Sequence, residues 1–220
     1  MRISGMDYWQ NFIDAPSTAR PWHGFYDAAM PDGRALRLPL RDLGATAIAG
    51  LIVNQASFAV ADALAGFLAD VLAPMRPEVI VALPTLGHVV GAAVARALGH
   101  ANWAALGTSR KLWYDEALSV PLASITSPGA GRRLWLDPRI LPRLTGRRIV
   151  LVDDVISTGA SMGAALALLA AAGIAPIAAG VAMAQTQRWL AGWPTGLPLI
   201  AGFSTPLFIR DGDGWTVAGE

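Results

Sequence analysis

The sequence contains no cysteine, which excludes disulfides, thiolate metal sites and cysteine nucleophiles. Charge is also sparse: 15% of the residues are charged, and the formal net charge is +1. The sequence shows no basic stripe of the kind that constitutive nucleic-acid binding usually requires, so we expect no nucleic-acid partner. The three histidines, His23, His88 and His100, are too widely spaced to form a metal-binding pattern.

The N-terminal stretch MRISGMDYWQNFIDAPS lacks the apolar run of a signal peptide. Two later segments, 45–72 and 162–184, are apolar enough to resemble membrane spans. The first carries acidic side chains such as Asp62, and the second is interrupted by Gly173 and Pro176. A helix, a glycine stop and a buried strand account better for the second segment. We therefore expect a soluble cytoplasmic protein with no membrane partner.

The chain has a length and composition typical of one well-packed domain, with 220 residues of which 54% are hydrophobic. Apolar runs typical of buried strands, such as 78–83 and 147–152, alternate with helical patterns. One helical pattern begins after Ser57, which is a good N-cap residue. Strand, turn and helix recurring with short connections predict an α/β fold, with a mostly parallel, twisted sheet flanked by helices on both faces.

The two chain ends and one internal segment depart from this alternation. Residues 1–45 are rich in aromatics, and the Pro-Asp-Gly sequence within 30–34 predicts a β-hairpin. Residues 107–131 have mixed polarity and end in Ser-Pro-Gly-Ala-Gly, which predicts a long loop or an exposed hairpin. A loop of this length in a compact domain is usually a lid or a binding element.

The most unusual stretch is RRIVLVDDVISTGAS, residues 147–161, in which two adjacent aspartates follow a buried strand. Two carboxylates roughly 4 Å apart repel by about 4 kcal/mol at an effective dielectric near 20. In extended backbone Asp153 and Asp154 would face opposite sides of the sheet, which would reduce the repulsion. Otherwise a metal, another cation or a group of hydroxyls must offset it. Ligands of such sheets bind where the strands end.

The residues after the aspartates form a small-residue turn that leads into a helix. Backbone N–H groups at a helix N-terminus bind phosphate without a basic side chain. A sugar phosphate would match this arrangement, with hydroxyls at the acids and phosphate at the turn. The simpler alternative is two solvated aspartates before a Ser-capped helix. Neither a P-loop nor a dinucleotide-binding fingerprint is present, because Gly-Lys-Ser/Thr and Gly-x-Gly-x-x-Gly are both missing.

The stretch IVLVDDVISTGAS resembles the phosphoribosyl pyrophosphate (PRPP) motif of type I phosphoribosyltransferases. VIVALPTLGHVVGAAVARALG looks like the strand, pyrophosphate loop and helix of that family, and GTSRKLWYDEALSV resembles the flexible-loop region of its adenine-specific members. The resemblance covers about residues 57–185. It implies a type I phosphoribosyltransferase fold made of a single domain, 1–220. Residues 1–45 and about 200–220 would form a small hood, and 107–131 the flexible loop.

The resemblance also implies roles for individual residues at the motif. Asp153 and Asp154 would hold the ribose hydroxyls, directly or through Mg²⁺ and water. The loop that wraps the 5′-phosphate would consist of Ser157, Thr158, Gly159, Ala160 and Ser161. The loop that lies along the pyrophosphate would consist of Thr85, Leu86 and Gly87.

Arg110 and Lys111 would meet the pyrophosphate, across the interface of a homodimer in one version of the arrangement. Glu116 would be the loop acid that handles a proton on the base or leaving group. Taken without the motif, Arg110 and Lys111 are better interpreted as a solvated basic pair, and Glu116 is equally well interpreted as an ordinary loop charge. The hood would cover the base, and its aromatic residues are candidates to stack on that base or simply to pack: Trp22, Phe25, Phe208 and Trp215.

The activity implied is transfer of 5-phosphoribosyl from PRPP to a purine-like base, with release of pyrophosphate and use of Mg²⁺. Adenine is the nearest match. However, adenine enzymes usually carry arginine where Leu86 stands, and the chain ends match no known pattern. Two alternatives therefore stay open: orotate or another base as the acceptor, and a non-catalytic PRPP-binding regulator on the same fold.

Overall fold

The computed structural model describes residues 8–122 and 132–219. Its helices are α1 (Phe58–Leu72), α2 (Gly87–Ala97), α3 (Leu141–Leu144) and α4 (Ala160–Ala171). Its strands are β1 (Phe12–Ile13), β2 (Phe25–Ala29), β3 (Ala35–Asp42), β4 (Thr46–Ala49), β5 (Val79–Ala82), β6 (Ala104–Ala105), β7 (Ser119–Pro121), β8 (Arg133–Trp135), β9 (Ile149–Ile156), β10 (Ala178–Gln185), β11 (Leu199–Thr205), β12 (Leu207–Asp211) and β13 (Gly214–Val217).

The central sheet has five parallel strands in the order β11-β10-β9-β5-β6. β9 is the middle strand, and every residue of its neighbour β10 is buried. Strands covered on both faces read as continuous apolar runs, which is why these segments were recognisable in the sequence. The predicted α/β fold with a mostly parallel sheet is confirmed.

Helices cover both faces of this sheet, also as predicted. Alternate residues of β9 enter two separate cores: Val150 and Val152 pack with α1 and α2, whereas Ile149 and Leu151 pack with α4. α1 begins at its predicted cap, because the Ser57 side chain accepts a hydrogen bond from the backbone N–H of Val60. The period of two along the strand therefore determines which helices each side chain meets.

A second, antiparallel sheet is built from both ends of the chain. Its strands run in the order β1-β3-β4-β12-β13, and β2 pairs with β3. The β2–β3 hairpin predicted around residues 30–34 is confirmed, with Gly33 at φ 88° in its turn. At its centre Phe208 is fully buried, and its ring lies 5.5 Å from Trp22 and 5.0 Å from Tyr26. β11 belongs to the parallel sheet, so the C-terminal part of the antiparallel sheet begins at β12.

The region 107–131 was predicted as a long loop or an exposed hairpin. Residues 116–118 form a short 3₁₀ turn, after which β7 pairs antiparallel with β8 in a two-stranded ribbon beside α4. Residues 123–131, which hold the Ser-Pro-Gly-Ala-Gly stretch, lie outside the described residues.

Within the part of the chain that the structure describes, one helical segment, Phe58–Met75, is long and apolar enough to cross a membrane, judged by length and composition alone. Core helices of folded proteins meet the same criterion. In this segment Val60, Leu64 and Leu68 are buried against the central sheet and α2. The other apolar stretch, 162–184, is the predicted helix, turn and strand, since α4 ends at Ala171 and β10 begins at Ala178.

Candidate active site

The two aspartates lie at the carboxyl end of the central strand β9. Asp153 is only 8% exposed, and Asp154 is half-buried. The backbone N–H of Asp154 donates to Oδ1 of Asp153 over 2.9 Å. Although both residues are in the strand, their carboxyl groups remain close enough to interact electrostatically.

Burial shapes the ionisation of this pair. It raises the pKa of Asp153 well above its ordinary value, and the negative charge of Asp154 raises that pKa further. Burial also raises the pKa of Asp154, whereas the interaction with the Asp153 side chain lowers it by a smaller amount. Burial and the repulsion between the two charges both disfavour the doubly ionised pair, and a bound cation would favour it. The acid pair is thus built for a positively charged or hydrogen-bond-donating ligand.

The loop before α2 packs directly against the acid pair. A Cβ atom added at Gly87 would lie 2.6 Å from Oδ1 of Asp153 and 3.0 Å from its Cα atom, so only glycine fits. Strand β5 brings this loop to the end of β9: directly after β5, the N–H of Leu83 donates to the carbonyl of Val152 over 2.9 Å. The Pro84–Thr85 peptide bond is cis. The structure thus brings the predicted pyrophosphate loop, residues 85–87, to Asp153.

The loop after β9 forms a small groove at the N-terminus of α4. Gly159 caps the helix with φ at 82°, a left-handed conformation that glycine adopts without steric cost. The backbone N–H of Ala160 donates to Oγ1 of Thr158 over 3.5 Å. The groove measures about 120 Å³ and is lined by Asp153 and residues 155–162. The predicted phosphate loop and the acid pair therefore border one groove.

A larger cavity of about 600 Å³ lies between the antiparallel sheet and the ends of β9 and β10. Asp154, Ser157 and Thr158 line it from the motif side. The opposite wall is largely apolar and comes from residue 9 and residues 39–52. An apolar wall facing polar groups suits a flat heteroaromatic ligand.

The aromatic residues considered for stacking do not line this cavity. Trp22, Phe208 and Trp215 are buried in the core of the antiparallel sheet, and the Arg37 guanidinium covers the ring of Phe25 at 3.9 Å. Of the two readings of these aromatics, packing is the one that the structure supports. The aromatic residue at the cavity is Trp9, whose indole N–H donates to the carbonyl of Gly50 over 3.0 Å.

The loop residues predicted to act in catalysis lie apart from these two cavities. Arg110 and Glu116 form an exposed ion pair of 2.8 Å. Arg110 and Lys111 line a separate cavity with Leu112 and Trp113. Among the described residues, none of the three predicted catalytic residues lines the groove or the larger cavity. Their role stays a prediction.

The sequence reasoning missed the turn that follows β10. Nη2 of Arg188 donates to Oγ of Ser157 over 2.9 Å. Trp189 packs beside Gly159, 3.5 Å from where a Cβ atom would stand. The one available signal was positional: residues directly after a parallel strand that neighbours the motif strand lie at the same edge of the sheet.

The acid pair fits Mg²⁺ by the chemistry of its donors. Carboxylate oxygens are ligands that Mg²⁺ prefers, and the ion is commonly held by one or two carboxylates together with substrate phosphates and water. Among residues 8–122 and 132–219 there is no cluster of three or more acidic, histidine or cysteine side chains that could hold a metal alone. The pair therefore suits a metal that arrives with a phosphorylated substrate.

Comparisons with known proteins agree with this geometry. No curated protein sequence matches the chain significantly. Among solved structures, the APRTase from Giardia lamblia complexed with 9-deazaadenine is 20% identical, with a TM-score of 0.57 over 72% of this chain and 87% of that one. The adenine phosphoribosyltransferase from Leishmania tarentolae is 17% identical, with a TM-score of 0.53 over 82% and 83%. These likenesses show a shared fold.

The family model of the phosphoribosyl transferase domain matches residues 51–193. This stretch runs from the end of the first antiparallel strands through the turn after β10, so it includes the loop before α2, the acid pair and the α4 groove. The chain therefore belongs to the phosphoribosyl transferase domain family, as an enzyme with the type I fold.

Proposed function

We propose that this enzyme transfers 5-phosphoribosyl from PRPP to a purine-like base and releases pyrophosphate. The observation that carries the proposal is the acid pair: Asp153 borders both the α4 groove and the loop at Gly87, and Asp154 lines the larger cavity beside them. A sugar with phosphate groups at both ends needs these three elements side by side. Adenine is the acceptor we favour.

Each element takes one part of PRPP in this proposal. Asp153 and Asp154 hold the ribose hydroxyls, directly or through Mg²⁺ and water. The 5′-phosphate lies in the groove, where the N–H groups at the start of α4 and three hydroxyls point to it: the loop residues are Ser157, Thr158, Gly159, Ala160 and Ser161. The pyrophosphate lies along Thr85, Leu86 and Gly87. Mg²⁺, when bound, would stabilise the negative charge of the leaving pyrophosphate.

The reaction builds positive charge on the ribose ring and negative charge on the leaving group. The carboxylates stabilise the first. Arg110 and Lys111 stabilise the second, with a second copy of the chain as the source of this pair in a homodimer. Glu116 handles the proton of the base. These three residues reach the reacting atoms only if the loop that carries them closes over the bound substrates. Closure of the loop would also exclude the water that would otherwise hydrolyse PRPP.

The base lies in the cavity of about 600 Å³, with the antiparallel sheet as its hood. In this arrangement the whole chain, 1–220, works as one phosphoribosyltransferase domain. The apolar wall formed by residues such as Trp9 and Leu43 suits the face of a purine. Arg41 and Arg188 also line this cavity, and these cations keep an anionic acceptor such as orotate as the second candidate.

The test is pyrophosphate release from Mg²⁺-PRPP with adenine, guanine, hypoxanthine, xanthine, orotate and uracil offered singly. Release that depends on a purine supports the proposal, and the fastest base identifies the acceptor. Release only with orotate or uracil would overturn the purine assignment. Binding of PRPP without release for any base would favour a PRPP-binding regulator. The control is Asp153→Asn with Asp154→Asn, which should abolish PRPP binding while the far-ultraviolet circular dichroism stays native.

A further inference from the structure

The turn after β10 forms a wall beside the loop that lines the groove at the start of α4, and its residue Arg188 lines the neighbouring larger cavity. Thr186, at φ 61°, redirects the chain out of the strand. Its carbonyl accepts the indole N–H of Trp189 over 3.1 Å, and Trp189 in turn packs beside Gly159. The turn is therefore fixed both to the strand that it leaves and to the loop that it faces.

Arg188 is held at this wall by the loop itself. Its Nη2 atom donates to Oγ of Ser157 over 2.9 Å, and its backbone N–H donates to Oγ1 of Thr186 over 3.4 Å. A guanidinium has five N–H donors in a planar fork. Ser157 takes one of them, so the others remain able to bind oxygens of a ligand in the groove.

The loop that lines the groove supplies no formal positive charge of its own. Residues 157–161 include no lysine or arginine, and Asp153 borders the same groove. A phosphate monoester carries up to two negative charges, so in this groove it would meet like charge. Helix N–H groups contribute only partial positive charge, equivalent to about half an elementary charge. Of the described residues, Arg188 is the cation hydrogen-bonded to the loop.

We propose that Arg188 is the specificity-determining cation of the 5′-phosphate subsite, oriented by Ser157, and that it selects phosphorylated ribose over ribose. This inference rests on the proposed function, because it assumes that the groove receives the 5′-phosphate. Arginine suits the role because its fork binds phosphate oxygens in pairs, which lysine does not.

The experiment is calorimetric titration of the full-length protein with ribose 5-phosphate and, separately, with Mg²⁺-pyrophosphate. Arg188→Gln should weaken ribose 5-phosphate binding about 10- to 100-fold, the effect expected for a charge-assisted hydrogen bond, and leave pyrophosphate affinity unchanged. Arg188→Lys should recover part of the loss. Ser157→Ala should weaken binding less, and it should add less than its own effect when combined with Arg188→Gln, since the two act together.

Unchanged ribose 5-phosphate affinity in Arg188→Gln would overturn the inference and leave the proposed function standing. An equal loss for ribose 5-phosphate and pyrophosphate would also overturn it, because a general loosening of the site would then explain the result. If the wild-type protein binds neither ribose 5-phosphate nor PRPP, the proposed function fails and the inference with it. Native circular dichroism and an unchanged Tm show that each variant is folded.

Discussion

Replacing Asp153 with asparagine should stabilise the protein while abolishing PRPP binding. Burial and the charge of Asp154 raise the pKa of Asp153 in the folded state, so ionising this carboxyl at neutral pH opposes folding. The substitution keeps the side-chain oxygen that accepts the N–H of Asp154. It also gives Asp154 an amide N–H donor in place of a second negative charge.

The size of the gain follows from the electrostatics. Two unit charges roughly 4 Å apart repel by about 4 kcal/mol at an effective dielectric near 20. Solvent at the half-buried Asp154 screens part of this repulsion, so we expect the variant to gain about 1–2 kcal/mol in free energy of unfolding. For a chain of this size each kcal/mol changes Tm by about 2–4 °C, which predicts a rise of about 2–8 °C.

The gain should also depend on pH in a defined direction. In the unfolded chain the Asp153 carboxyl ionises near its ordinary pKa of 3.8, whereas in the folded protein it ionises at higher pH. Between those two values the folded state binds more protons, so wild-type stability falls as pH rises through the folded-state pKa. The difference in Tm between variant and wild type should therefore be small below pH 3.8 and fully developed above the raised pKa.

The assay is thermal unfolding of both proteins in a chelating buffer across this pH range. It is repeated at neutral pH with Mg²⁺-PRPP at about 100 times the wild-type Kd, where ligand should stabilise the wild type by about 2.7 kcal/mol and leave the variant unchanged. A variant that is less stable than wild type at neutral pH, or a difference in Tm that ignores pH, would refute the account of the acid pair as mutually destabilising.

Two further substitutions test the neighbouring elements. Gly87→Ala should lower stability by about 1–3 kcal/mol in thermal unfolding, because its Cβ would overlap Asp153. The matched control is Gly66→Ala, which has open space around its Cβ and should not destabilise the protein. Equal effects of the two substitutions would contradict the close-contact argument. Glu116→Ala should lower kcat about 100-fold, as loss of a general acid does, with little change in the Kd for PRPP. An unchanged kcat in Glu116→Ala would show that the loop role is wrong.

The parallel sheet and its helices were predictable because buried strands leave an unmistakable apolar run. β9 and β10 could be located from composition alone, and the Ser57 cap and the turn at Gly33 are local signals with local causes. The family resemblance assigned roles to Gly87 and Asp153, but it did not predict the contact between them. Glycine is needed at position 87 because there is no room for a Cβ atom, and that shortage of space arises between two segments that are distant in the chain.

Other features had no local signal. The aromatic residues at the two chain ends are packed against one another, because β12 pairs with β4 and brings Phe208 onto Trp22. Nothing within either segment indicates that pairing. Arg188 follows β10 without any motif of its own, and its position beside Ser157 arises only from the order of strands in the sheet. Long-range pairing, which short sequence patterns do not encode, accounts for these omissions.

The pairing of β4 with β12 also sets when the molecule can be completed. β4 ends at Ala49, whereas β12 begins at Leu207, so one edge of β4 has no partner until β12 has left the ribosome. The parallel sheet contains only residues up to Thr205 and needs no later strand. A nascent or truncated chain can thus hold its acid pair and phosphate loop before the wall over the larger cavity is finished. An unpaired strand edge is prone to pair with other chains, so β12 protects the edge of β4 against aggregation as well as completing the antiparallel sheet.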